Sequence, residues 1–542
     1  MSKKRNKNIA RNRTPPTAKT HKRFVNTGYS GGGASLTKQA LAGYLPIQSS
    51  PQSDIDSNLA ILRNRSYDMA INSPIGRGAI ETSRSYVIGA GLIPSPKINF
   101  RLLGMSSEEA KEWQRLALLE FQLWADDVSC DIYRKNNFWD QQNIAFIGSL
   151  INGDAWAIPR YGKNNKQNPY SLKIQQIEAN RICNPGNYNI FGPSTPYMIT
   201  DKNPQNGNRI INGIEIDKDG AVVAYWIANR VPYDPTNMAD NLTWQRVEAF
   251  GKRSGVPMVF QISHEERPEQ YRGVPFLSPV IEELKQVSRY TTAELTTAII
   301  KAFFTIFFTE DSPEHDMNSF LQETYSDEEK ITFDPSKMEL GPGTMNVLPP
   351  GFKVQSVDAN KSISTFEAFT NSLITQIGSG LNIPAEVLMS KFNSSYSAAR
   401  GALNQAAAVF KQRRIWFARD FCQPFYEMWL AEAIAIGRIK AKGFGTDPLI
   451  TKAWSKADWF GPVSGLLDPT KEVEAAHLRI KYGFSTHERE TAELTGANFD
   501  DNVDVLANEY LKTKKANLPN EDGNNSLQDF NNKLDEKGTD NG

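Results

Sequence analysis

The sequence is poor in the residues on which most enzymes and most secreted domains depend. Its 542 residues include three cysteines, Cys130, Cys183 and Cys422, and five histidines. Widely spaced thiols, odd in number and without a CxxC pair, argue against a disulfide framework and a cysteine zinc site and for a reducing compartment. His21, His264, His315, His477 and His487 are scattered, and none has a second ligand at helical metal spacing. His264-Glu265 does not open an HExxH motif, because Pro268 stands fourth after the histidine. Adjacent carboxylates at Asp126-Asp127 and Asp500-Asp501 read as helix ends or loops. Asp217 and Asp219 beside Gly220 lack the acidic ladder of a calcium loop and read as a plain turn. Phosphate loops are missing too. GYSGGGASLTK has Ala34 after Gly33 where a Walker loop needs lysine, and it reads as a linker. No GxGxxG opens a helix and no GxSxG forms a nucleophile elbow. These absences leave no expectation of a catalytic constellation, a metal or a cofactor.

Long apolar runs are also lacking. The nearest, Thr296 to Phe308, is too short for a membrane span and contains Lys301. The N-terminus has no apolar stretch of the secretory-signal kind. Net charge is zero, from 61 basic and 61 acidic residues, but it is unevenly placed. Residues 1–25 hold nine Lys or Arg and no acid, whereas Asn520–Gly542 holds six acids and two lysines. Neither end is apolar enough to fold alone. The basic arm reads either as a solvated tail or as a binder of nucleic acid or a scaffold.

What is present is helix, in unusual lengths. From Ser362 to Ile377, Phe366, Phe369, Leu373 and Ile377 share one face, with Ser364 and Glu367 spaced as a capping box and Gly378 and Gly380 expected to stop the helix. From Tyr396 to Gly437, Leu403, Ala407, Phe410, Phe417, Phe421, Phe425 and Met428 make one stripe, a rod of roughly 60 Å at ~1.5 Å per residue. Pro424 is expected to kink this rod, not to end it, because the aromatic pattern continues through Trp429. A third rod is expected from Val280 to Phe308, apolar nearly all round in its second half and so buried against other helices. Between the rods, Asp311–Asp358 breaks into polar loops and short strands.

Shorter elements frame these rods. A helical pattern from Asp54 to Tyr86 is interrupted at Asn72-Ser73-Pro74, and helices are expected at Ser106–Trp124 and Phe138–Ile151. Residues 170–260 alternate in short Ile- and Val-rich runs split by NPGN, NPQNGN and DKDG, the signals of a small mixed or antiparallel sheet. Helices at Pro469–Lys481 and Asp501–Leu511 close the folded part.

Five stretches, in order, resemble one family. GAIETSRSYVIGAGLIP (78–94) looks like its helix followed by a V-G-x-G-L strand, and NIAFIGSLINGDAW like its helix-then-G-[DE] motif. His264 through Pro275, ending QYRGVP, matches an H…Q-x-R-G-V-P element; NSSYSAAR (393–400) matches N-x-S-Y-S-[SA]-x-R; WFGPVSGLLDPTKE (459–472) matches W-x-x-P…DP-x-K-E. The family is the lambda-type portal proteins of tailed bacteriophages. The resemblance spans most of residues 60–490 and leaves both charged ends outside it.

The resemblance implies a mainly helical α+β portal fold with wing, stem, clip and crown, assembled as a ring of about twelve copies. By that plan 1–53 is the basic arm and linker, 54–275 the wing, 276–309 the first stem helix and 310–359 the clip. Residues 360–377 are the second stem helix, 378–395 a tunnel loop, 396–437 the long kinked helix, 438–466 the wing return, 467–515 the crown and 516–542 the acidic tail. Twelve inner helices at ~10 Å spacing enclose roughly 28 Å once a helix width is subtracted, enough for duplex DNA. The implied partners are further copies, double-stranded DNA, the terminase large subunit, the major capsid protein and scaffold, and a head–tail adaptor, with no membrane. The implied location is the portal vertex of the virion, after assembly in the bacterial cytoplasm. Lys391, Asn393, Ser394 and Ser395 are then expected to meet DNA, Phe392 and Tyr396 to anchor the loop, and Phe303, Phe304, Phe307 and Phe308 to lie between subunits. Another ring-forming head–tail adaptor or capsid component, and a nucleic-acid enzyme of packaging, are the alternatives.

Overall fold

The computed structural model describes residues 29, 33–36, 38–164, 166–187, 197–199, 201–232, 242–303, 307–310, 352–355, 363–391, 396–462, 469–496 and 499–516. Residues 1–50 and 51–542 are separate units. Among its described residues the first holds a short 3-10 turn, Gln39–Leu41. The second is an α+β unit rich in helix.

Helix α1, Ser57–Asn72, and α2, Pro74–Val87, are separated at Ser73, whose hydroxyl accepts from the Gly76 N–H while Pro74 takes the first helical position. The interruption expected there is therefore a cap. Strand β1, Ile93–Pro96, comes after α2. Helix α3, Ser107–Ala125, starts in a full capping box between Ser106 and Glu109. It buries Ala110, Trp113, Ala117, Phe121 and Trp124, leaving Leu116, Leu119 and Leu123 exposed. Helix α4, Phe138–Asn152, ends at Gly153 (φ 87), and strand β2, Asp154–Tyr161, begins directly.

The alternating region forms two antiparallel sheets of three and four strands and a short two-stranded pair, Gly186–Asn187 with Tyr197–Ile199. In one, β2 lies between β3, Leu172–Ile177, and β8, Phe260–Ser263. The other is a meander of β4, Arg209–Ile211, β5, Ile214–Ile216, β6, Val222–Ala228, and β7, Trp244–Glu248. Asn212-Gly213 turns β4 into β5 with both residues at positive φ, 44° and 86°. Asp217 is a plain turn residue, its carboxylate accepting from the Asp219 and Ala221 N–H groups. Glu215 of β5 is fully buried and yet satisfied. It accepts from Arg246 (2.7 and 3.0 Å), from the Asn203, Asn206 and Asn208 amides and from Trp226 Nε1. Burial alone would push this carboxyl up, but Arg246 and the asparagine amides outweigh it and hold its pKa at about 2.

Helix α5, Ile281–Phe303, leads to strand β9, Phe307–Glu310, paired antiparallel with β10, Phe352–Gln355. The rod expected to reach Phe308 thus stops earlier. Phe307 and Phe308 lie in a strand, since this aromatic and β-branched stretch has an extended partner to pair with. Phe303 is the last helical residue, and Phe304 lies outside the described residues. Of the clip expected at 310–359, only Glu310 and β10 are described.

Helix α6, Ile363–Leu381, passes straight through Gly378 and Gly380. These glycines do not end it; they permit close approach. A Cβ on Gly378 would sit 2.5 Å from the Ile383 carbonyl oxygen, and one on Gly380 would sit 2.6 Å from Val280 Cγ1. The stop is Asn382, at φ 54, with Asn382 N–H to Ser379 O and Ile383 N–H to Gly378 O completing the cap. Within the expected loop is a short helix, α7, Ala385–Met389.

The long rod forms as one run: α8, Tyr396–Phe417, a π turn, Ala418–Cys422, and α9, Gln423–Ala435. The irregularity falls just before Pro424, which has no N–H to give to the preceding turn. Phe417, Phe421, Phe425, Tyr426 and Trp429 are all fully buried. They meet Phe121, Phe138 and Trp459 ring to ring, Phe121–Trp429 at 5.0 Å and Phe138–Phe421 at 5.8 Å. After α10, Pro448–Ser455, strand β11, Ala457–Phe460, pairs with β1. Two of the recognised stretches, LIP and WF, are thus two strands of one ladder. Helices α11, Pro469–Lys481, α12, His487–Thr495, and α13, Phe499–Lys515, close the described chain.

Candidate functional site

Two more recognised stretches meet in a buried ionic junction. Gly153-Asp154 comes from the α4–β2 turn, and Arg272-Gly273 from the segment that leads into α5. Arg272 reaches Asp154 through Nε at 2.7 Å and Nη2 at 3.1 Å, and Arg63 of α1 reaches the same carboxylate at 2.8 Å. Arg272 also donates to the carbonyls of Ile182, Asn212 and Ala179 and stacks 5.4 Å above Trp156, whose Nε1 donates to Asp154. Burial would push the Asp154 carboxyl up, but Arg272 and Arg63 more than offset it and hold it below the usual carboxylate range. Gly153 and Gly273 touch backbone to backbone, and a Cβ on either would overlap the other's carbonyl. A G-D pair and an R-G pair, over a hundred residues apart, are therefore one site.

From this junction the chain runs through Phe276 to α5, and the long rod is pinned to it. The Arg413 guanidinium stacks 4.6 Å from the Phe276 ring and donates to Leu381 O, at the end of α6, and to Ser83 Oγ of α2. Its neighbour Arg414 donates to Tyr86 O, Val87 O and Pro462 O. Both cations sit on helix C-termini, where the backbone dipole favours positive charge. Desolvation pulls the pKa of Arg413 down to about 10. Nothing in KQRRIWF distinguishes these arginines from a solvated helix face, so no sequence signal singles them out.

The expected DNA-meeting loop springs from this joint. Ile383 and Val387 are buried, and Ser390, at φ 52, ends α7. Lys391 is exposed, with its N–H on Glu386 O at 3.0 Å and its Nζ 3.1 Å from Glu367 Oε1 of α6. Phe392, Asn393, Ser394 and Ser395 lie outside the described residues. Tyr396 is the first residue of α8, with its side chain outside them. The structure thus brings Lys391 to Glu367. Among the described residues, no group of three or more His, Cys, Asp or Glu is placed to hold a metal ion. No helix among them is long and apolar enough to cross a membrane.

The buried charges of the junction and the rod join elements to one another, as in an architectural protein. Residues 37–414 match the family of phage portal proteins, lambda family. This chain belongs to that family, and its function is that of a portal, a structural head–tail connector. It is 24% identical to portal protein B of Escherichia phage lambda over 502 residues, 90% of this chain and 89% of that one. It is likewise 24% identical to the portal protein of Escherichia phage N15 over 520 residues, 93% of each. Among solved structures, the neck of a native GTA particle computed with C12 symmetry aligns over 81% of this chain and 93% of its own, at TM-score 0.40 and 10% identity.

Proposed function

We propose that copies of this chain, about twelve by the family plan, close into a ring at one capsid vertex and pass double-stranded DNA during packaging and ejection. The observation that carries this reading is the junction: separate family stretches fold into one buried joint that holds two rod helices, the long helix and the loop between them. In this reading α5 and α6 are the stem, the segment between them is the clip, residues 378–395 border the channel and α11–α13 form the crown. The clip meets the terminase large subunit during packaging and an adaptor afterwards; the wing meets major capsid protein and scaffold. Rings assemble in the host cytoplasm and end at the portal vertex of the virion, without catalysing a reaction.

Lys391 suits a conduit better than a tight binder. A ring of exposed lysines, each already paired with Glu367, attracts phosphates without reading bases, and its hold weakens with salt. Projection images of the purified chain test the ring: a closed annulus with an axial hole wide enough for duplex DNA is expected. A stable monomer under assembly conditions, or a ring with no such hole, would count against the reading. ATP or DNA hydrolysis by the pure protein would revive the enzyme alternative.

A further inference from the structure

Among the described residues, helix α13 has no cover in its own chain. Every described side chain from Asn502 to Lys512 is exposed, although the helix carries Val503, Leu506 and Tyr510 at spacings that put them on one face. Its described ties are at its start, where Phe499 stacks on His487 at 5.1 Å and Asp500 pairs with Lys111 at 3.1 Å. A helix of 17 residues with an open apolar stripe gains little from propensity alone and is normally stabilised by packing that stripe.

A second open apolar patch lies close by in sequence. On α11 and the turn after it, Leu478, Tyr482 and Phe484 are exposed, and with the α13 stripe all six side chains fall between 44% and 79% exposure. The patch sits on a frame joined by ion pairs. Arg479 makes a bidentate pair with the buried Glu490 of α12 (2.9 and 2.5 Å), and α12 leans on the long rod through Lys411–Glu493 at 3.2 Å. Leu478 and Tyr482 are one turn apart on the side of α11 left open.

We infer that α13 of one copy docks along α11 of the next, antiparallel, setting Val503 against Phe484, Leu506 against Tyr482 and Tyr510 against Leu478. This rests on the ring reading, and it names which surfaces close the C-terminal end. A ring is built from head-to-tail contacts, so each copy must carry two different patches that complement each other. These two do so in charge as well as in apolar character. The first half of α13 carries Asp500, Asp501 and Asp504, and its end carries Lys512, Lys514 and Lys515. The start of α11 carries Glu472 and Glu474 beside Lys471, and its end Arg479 and Lys481. Antiparallel docking sets acidic end beside basic end at both extremities. A symmetric contact of α13 with α13 in a parallel crown would set like ends together.

Full-length protein carrying Tyr482→Cys and Leu506→Cys, which antiparallel docking sets opposite each other, tests the pairing. After assembly and mild oxidation, denaturing gels should show a ladder extending beyond dimer, because each copy bonds a different neighbour through each cysteine. Neither single variant, nor the parent with Cys130, Cys183 and Cys422, should give it. Dimers from Leu506→Cys alone would mean that α13 meets α13, and an intrachain disulfide would mean that α13 folds back on its own α11; either overturns the pairing. So does a missing ladder in samples whose rings are visible in the microscope. A parent chain that forms no ring at all removes the ring reading and this inference with it. Leu506→Glu should also raise the concentration needed for assembly about tenfold or more, as loss of one buried leucine implies. Asn508→Glu, on the opposite face of the helix, should leave it unchanged; equal effects from both would overturn the docked face.

Discussion

The molecule holds two ion-pair sites of opposite character. At the junction Asp154, Arg272 and Arg63 are 0%, 1% and 5% exposed, and their ion pairs tie separate elements of the core together. At the loop Lys391 and Glu367 are 49% and 73% exposed and bridge two neighbouring segments in solvent. The first pair is costly to break, since removing one partner strands charge away from water. The second contributes little to stability, because solvent already screens it. Charge that builds the joint and charge that is available to a ligand are thus separated by burial, and mutations should separate them too.

The largest expected effect is at the joint. Asp154→Ala leaves two buried guanidiniums without their carboxylate and should cost about 3–5 kcal/mol, read as a fall in denaturant midpoint or a loss of soluble protein. A variant within about 1 kcal/mol of the parent would show the joint to be dispensable. Next comes Gly273→Ala, whose methyl group overlaps the Gly153 carbonyl. It should cost about 1–3 kcal/mol or more by forcing the two backbones apart. Ordinary stability for that variant would mean that the joint opens easily.

Arg413→Met keeps much of the apolar stem over Phe276 and removes the donors to Leu381 O and Ser83 Oγ. A loss of about 1–3 kcal/mol is expected, together with faster amide exchange at the end of α6. Unchanged exchange there would remove Arg413 as a pin between the rod and α6. The meander sheet should respond to acid. Glu215 has its carboxyl held at about 2 against an ordinary value of 4.5. Its contribution is therefore full above 4.5 and fades as pH falls toward about 2. Glu215→Gln should flatten that part of the stability–pH curve, and a parallel curve for the variant would exclude Glu215 as its source.

The smallest effect on folding, and the most telling on function, is expected at the loop. Lys391→Ala should stay within about 0.5 kcal/mol of the parent and still form rings. Packaging or retention of DNA should change, most visibly at low salt, and Lys391→Glu should act more strongly because it repels phosphate. Normal DNA content and particle yield for both variants, with intact rings, would sink the proposed contact.

The residues themselves determined most of the helices, since a 3.6-residue apolar period and a cap are local facts. Ser73-Pro74, Ser106 with Glu109, Gly153, and the aromatic stripe running through Pro424 all carry their own geometry. Asn212-Gly213 likewise names its hairpin, because few other residues accept positive φ twice in succession. What local signals left undecided were the questions settled by contact. Gly378 and Gly380 read as a stop, yet packing against Val280 and the Ile383 carbonyl kept them in the last helical turn and moved the stop to Asn382. Phe307 and Phe308 fit a helix by hydropathy and became a strand because Phe352–Gln355 was there to pair with. Arg413 and Arg414 look like any solvated pair until the carbonyl ends of α2 and α6 are brought beside them. Asp154 and Arg272 are legible as separate short stretches, but only folding shows that they share one buried charge. A pairing between residues over a hundred positions apart leaves no period in the chain, so it is decided by tertiary structure alone.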